Sequence, residues 1–159
     1  MNYFELFEIP VSLQVDKNIL SKKYVALQKK YHPDFFTQET EYEQADALEK
    51  SSQVNKALKI FKSSDETIKY VLQLKGLLEE EEKYQLPPDF LMEVMELNEE
   101  LSTDSTEQIN KLEAEIYQPV KPIIDHFNND TTTTEDLLKV KEYYYKKKYL
   151  QRILDRLEG

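Results

Sequence analysis

KKYHPDFF, residues 29–36, stops a good helix at a sharply defined place. Upstream, Asp16 can cap a helix whose apolar positions, Leu20, Tyr24, Leu27 and Tyr31, recur at spacings of four, three and four. Lys22, Lys23, Lys29 and Lys30 lie off that stripe. Pro33 ends the helix, because the residue before a proline is pushed out of the α region. A second helix then returns over about 43–62, with Leu48, Asn55, Leu58 and Phe61 near one face. A proline-bearing turn between two antiparallel helices follows. By itself His32-Pro33-Asp34 is ordinary turn chemistry: proline fixes φ and aspartate caps.

Working outward, a short third helix after Asp65 carries Ile68, Val71 and Leu72, with Gly76 as its C-cap. EEEEKYQLPPD, residues 79–89, reads as a solvated connector and a helix start signal. Beyond it the pattern predicts helices over about 88–101, 104–128 and 134–157. Pro119 and Pro122 should bend or end the middle one. The threonines at 131–134 should end in an N-cap. No convincing strand is found. The expectation is an all-α protein of two modules, divided as 1–76, 77–88 (linker) and 89–159, with a three-helix bundle at the C-terminus.

The chain has 159 residues, 40% hydrophobic and 33% charged, with two glycines and no cysteine. Few glycines argue against phosphate-cradling loops. Lack of cysteine removes disulfides, a thiolate nucleophile and Cys-based zinc or iron–sulfur ligation. No run approaches the roughly 18 apolar residues of a membrane span, and MNYFELFEI lacks a basic n-region. A cytoplasmic protein with no membrane role is expected. Residues 1–75 carry 11 basic and 11 acidic side chains, and residues 76–159 carry 10 and 20. The acidic second part speaks against nucleic acid, and the split suggests two modules with different partners.

Catalysis has little to stand on. His32 and His126 are the sole histidines, and no nucleophile motif accompanies them. His126 reads as a polar surface or capping residue. A metal site of His32, Asp34 and distant glutamates lacks ligand spacing. No cofactor, metal or small-molecule substrate is expected.

The turn, the basic helix before it and the returning helix with Val54-Asn55-Lys56-Ala57-Leu58 occur in an order that resembles the J domain. This is the module that stimulates ATP hydrolysis by DnaK-class chaperones. The resemblance covers residues 1 to about 75 and implies a long antiparallel helix pair flanked by short helices. It makes His32, Pro33 and Asp34 the chaperone-binding tripeptide and Lys22, Lys23, Lys29 and Lys30 its basic face. Lysines there would steer the module toward an acidic ATPase surface. Phe35 stands where a basic residue usually follows the tripeptide. Val25 and Ala26 occupy positions often basic in general J domains, which fits a specialised partner.

FLMEVMELNEEL, residues 90–101, has two apolar sides. Phe90, Val94, Leu97 and Leu101 make one stripe, and Leu91, Met92 and Met95 a second, bordered by Glu96 and Glu99. Either the helix is buried on both sides, or the methionine strip is an adaptable surface for another protein. In the last helix Val140, Leu150, Leu154 and Leu157 make the core side, while Leu138, Tyr145 and Tyr149 point away.

With LPPDFLMEVMELNEEL opening the C-terminal part, the whole chain resembles the HscB family, J-type co-chaperones of iron–sulfur cluster assembly. That resemblance implies a C-terminal bundle that binds the cluster scaffold IscU and a J domain that recruits the chaperone ATPase HscA. It carries scaffold contacts onto Leu91, Met92, Met95, Glu96 and Glu99, and an aromatic contact onto Tyr149. Thr103 stands where an acidic contact is expected. Eukaryotic relatives bear a cysteine-rich N-terminal extension, so a bacterial form is expected. Two other readings stay open: a co-chaperone of a general DnaK-class partner with a different client, and a purely structural helical adaptor.

Overall fold

The computed structural model describes residues 1–99 and 105–158, without the side chains of Asn98, Glu99 and Glu158. Among the described residues all regular structure is helical: α1 (Tyr3–Phe7), α2 (Lys17–Tyr31), a 3-10 turn (Pro33–Phe36), α3 (Glu41–Lys62), α4 (Ser64–Leu74), α5 (Pro88–Glu99), α6 (Ser105–Tyr117), α7 (Lys121–Asp125) and α8 (Thr134–Glu158). Two compact units result, Met1–Val71 and Leu72–Gly159, so the division falls inside α4.

In the first unit α2 and α3 form the long pair. Asp16 caps α2 by accepting from the N–H groups of Asn18 and Ile19. Thr40 caps α3 through the N–H of Glu43. The buried face of α3 is Ala47, Ser51, Val54, Ala57 and Phe61. Small residues on that face let the helix axes approach closely. Leu48, expected inside, is 60% exposed, while its neighbour Ala47 is buried. Asn55 sits at the exposed edge and braces the pair: its Oδ1 accepts from Tyr24 Oη at 3.0 Å and from Gln28 Nε2 at 3.1 Å.

α1 closes one end of this pair. Phe4 and Phe7 are buried against Phe61, with ring centroids 4.8 and 5.5 Å away. The N–H of Tyr3, one of the donors a helix start leaves unsatisfied, donates to Tyr70 Oη at 2.8 Å. Burial pushes the Tyr70 hydroxyl above its ordinary pKa, so it is a neutral acceptor here. The Thr67 hydroxyl, 1% exposed, donates to the carbonyls of Ile60 and Ser63 and fastens α4 to the end of α3.

The second unit opens on the end of α4. The N–H of Leu77 bonds the carbonyl of Leu72 and that of Gly76 the carbonyl of Gln73, with Gly76 at φ +72°. This is the left-handed C-cap the sequence pointed to. The bundle core joins Phe90 and Val94 of α5, Ile109 and Leu112 of α6, and Leu150, Ile153 and Leu154 of α8. Each such buried side chain contributes roughly 1.5–3 kcal/mol of transfer free energy. The expected middle helix is two helices, α6 and α7, separated near Pro119, with Pro122 at the start of α7. Thr133 caps α8 by accepting from Asp136 N–H. Tyr143 and Tyr144, not counted as core from the pattern, are buried.

The connector differs most from expectation. It does not float in solvent: Glu82 pairs with Lys141 at 2.6 Å, and the Tyr84 ring stacks on Tyr145 at 4.5 Å and 6°. Leu86 packs against the bundle core.

Candidate functional site

The tripeptide is built as a cap within a cap. His32 closes α2, its N–H donating to the Gln28 carbonyl at 2.9 Å. Its extended backbone, φ −60° and ψ 131°, is what a following proline demands. The same residue starts the 3-10 turn: His32 Nδ1 accepts the N–H of Asp34 at 3.3 Å, and its carbonyl accepts the N–H of Phe35 at 3.0 Å. The Asp34 carboxylate lies 3.6 Å from Nδ1, and the two side chains are 84% and 46% exposed for Asp34 and His32. The turn therefore offers an imidazole and a carboxylate to solvent on a backbone fixed from both sides. Phe35 stands beside them, 66% exposed, its ring edge-on to the imidazole at 6.2 Å.

Lys22, Lys29 and Lys30 are exposed on α2 and Lys23 is half-buried. Among the described residues none of the four has a carboxylate within ion-pair distance. Lys30 and Lys50 instead flank the Tyr31 ring, 5.2 and 5.4 Å from its centroid. Val25 and Ala26 are exposed among the lysines. The strip is thus basic but interrupted by apolar surface.

On α5 the ambiguity of the two apolar sides resolves by burial. Phe90 and Val94 enter the core, with Leu97 packed against it. Met92 and Met95 do not: they are 63% and 57% exposed. Leu91 is half-buried beside them, and Glu96 is exposed one turn beyond Met92. The Glu99 side chain, Leu101 and Thr103 lie outside the described residues. Tyr149 is half-buried, edge-on to Phe90 at 6.3 Å.

Leu91 and Tyr149, 58 positions apart, line one open groove of about 570 Å³ between the connector and α8. Tyr84, Tyr145, Lys148 and Arg152 share it. Burial raises the Tyr84 and Tyr145 hydroxyls, with Glu142 and Glu82 adding to the first and Glu82 to the second. Both stay neutral donors at pH 7. Lys148 and Arg152 were missed from the sequence because a lysine run on a helix reads as a solvated face. Their grouping with Tyr84 depends on where the connector lies.

Among the described residues no cluster of His, Asp or Glu is arranged to hold a metal, and no helix is long and apolar enough to cross a membrane.

Comparison with known proteins gives a consistent picture. A family model described as the HSCB C-terminal oligomerisation domain matches residues 86–158. A co-chaperone protein HscB homolog of Psychromonas ingrahamii is 36% identical over 114 residues, covering 71% of this chain and 68% of the relative. A homolog of Vibrio cholerae is 40% identical over 104 residues, 65% of this chain, and the match spans 61% of that relative's length. Among solved structures, chaperone HscB from Vibrio cholerae matches with a TM-score of 0.67 and 28% identity, over 99% of this chain and 96% of that one. The human co-chaperone HscB matches with a TM-score of 0.78 and 27% identity, over 99% and 81%.

Proposed function

Because the chain belongs to the HscB family of co-chaperones, we propose that it binds the iron–sulfur scaffold IscU and delivers it to the chaperone ATPase HscA, raising that enzyme's ATP hydrolysis. In this reading residues 1–76 act as the J domain, 77–88 as the linker and 89–159 as the scaffold-binding bundle. The protein performs no catalysis of its own and works in the cytoplasm.

The observation that carries the scaffold half is the exposure of Met92 and Met95 on a helix whose other face fills the core. Two large, flexible, polarizable side chains held in water by a rigid helix suit an adaptable protein contact. Leu91, Glu96 and Tyr149 border these methionines, and the family resemblance assigns Glu99 to the same contact. The chaperone half rests on the doubly capped His32 turn and on Lys22, Lys23, Lys29 and Lys30, which have no carboxylate partner among the described residues. The lysines raise the encounter rate with an acidic partner. The turn then presents the imidazole, Pro33 and Asp34 at little further entropic cost, because the backbone is already set. One molecule engaging both partners raises the local concentration of scaffold at the chaperone. The exposed Val25 and Ala26 favour a dedicated ATPase over a general one of the same class.

The test is steady-state ATP hydrolysis by HscA, with and without IscU. The wild-type protein should stimulate it, and His32→Gln should abolish stimulation while leaving IscU affinity intact. Full stimulation by His32→Gln would overturn the assignment of the turn.

A further inference from the structure

The groove between the connector and α8 is cationic, in a unit where acids outnumber bases by 20 to 10 over residues 76–159. Most α8 lysines in this setting find partners: Lys141 with Glu82, Lys146 with Glu142 and Lys147 with Glu113. Lys83, Lys148 and Arg152 have no carboxylate partner among the described residues, Lys148 lying 6.0 Å over the Tyr144 ring, and all three line the groove. The one carboxylate in its lining, Glu82, is held by Lys141 at 2.6 Å and so is already neutralised. The polar heads left facing the groove are thus cations, tyrosine hydroxyls and an amide. The floor is firm, because Tyr84 is stacked on Tyr145.

From this we propose that the groove receives an acidic segment of the same partner that covers the Leu91 ridge, with Lys148 and Arg152 as its carboxylate receptors. The inference rests on the scaffold-binding reading and extends it. Continuity supports the choice of occupant: Leu91 and Tyr149 belong to the ridge and also line the groove. A protein seated on Leu91 and Met95 meets the cations without leaving the surface. Arginine's planar fork suits a carboxylate in bidentate geometry, and lysine adds a point charge. The face as a whole becomes bipolar. Glu96 stands at the α5 side, and Lys148 and Arg152 stand at the α8 side, with sulfur and carbon between them. Such a gradient fixes which way round the partner docks, since the reversed orientation sets like charges together.

Binding of IscU is measured by calorimetry and stopped-flow for the wild type, Lys148→Glu/Arg152→Glu, Lys148→Gln/Arg152→Gln and Leu91→Ala. Thermal unfolding of each serves as the folding check. Lys148 and Arg152 are exposed, so the Gln pair keeps its melting temperature even where the Glu pair does not. At low salt the Glu pair raises Kd roughly tenfold or more, chiefly through slower association. The Gln pair falls between, and the difference shrinks as salt is added. A Kd within twofold of wild type for both pairs, with Leu91→Ala weakening binding, would sink the groove and leave the ridge standing. Weakening by the pairs but not by Leu91→Ala would overturn the shared occupant, because the cations would then hold a partner that does not cover Leu91. No effect from any variant removes both.

Discussion

Replacing Met92 and Met95 together by alanine separates a binding surface from a core. Complete burial of a methionine side chain contributes roughly 1.5–3 kcal/mol. At 63% and 57% exposure, each has a little over half of that left for a partner to cover. The pair should therefore contribute about 2–3.5 kcal/mol to the complex, a loss of roughly thirty- to three-hundredfold in affinity on truncation. The fold should hardly notice, because surface substitutions stay within about 0.5 kcal/mol. Phe90→Ala on the same helix is the contrast. That ring is 5% exposed, and its loss should cost about 3–5 kcal/mol of stability. In a unit of this size that lowers the melting temperature by upwards of ~12 °C. Calorimetric titration with IscU gives the first quantity and a denaturant or thermal melt gives the second. The reasoning is refuted if the methionine double variant melts like Phe90→Ala, or if it binds IscU as tightly as the wild type.

Two further outcomes follow from single contacts. Tyr70→Phe strips the acceptor from the Tyr3 N–H while keeping the ring stack, and should destabilise the first unit by about 1 kcal/mol. An unchanged denaturant midpoint would show that water replaces the hydroxyl without loss. The Glu82 carboxyl is held below its ordinary value, first by the hydrogen bond from Lys141 and then by the Glu79 N–H. A lowered folded-state pKa means its stabilising contribution is complete above the ordinary value of 4.5 and is lost as pH falls through the folded value. The stability gap between wild type and Glu82→Gln should be widest near neutrality and close on acidification, read by circular dichroism melts across pH. A gap independent of pH would contradict this.

Local signals in the sequence were faithful where one or two residues decide the outcome. Asp16 sets a helix start through its side-chain carboxylate, and Pro33, Pro122 and Gly76 set helix ends through their own backbone chemistry. The two apolar sides of α5 were equally visible, but which one faces water was not. That depends on α6 and α8, whose side chains reach Phe90 and Val94 and leave Met92 uncovered. Leu48 shows the complementary error. Hydrophobicity favours the larger residue, yet the α2–α3 approach selects Ala47, Ser51 and Ala57 because they are small. The groove was beyond a one-dimensional pattern altogether. It exists because Tyr84 finds Tyr145 and Glu82 finds Lys141, contacts spanning about sixty residues.

That clamp changes where the protein can be cut. A fragment begun at Phe90 would keep every long helix of the bundle yet leave Lys141 without its counter-charge. Tyr145 would lose its stacked ring and keep only the edge contact with Tyr144, and the side of the core that Leu86 covers would be open. A fragment that keeps these contacts starts upstream of Glu79. The segment that looks like a tether is the bundle's outer wall, and a truncation has to leave it in place.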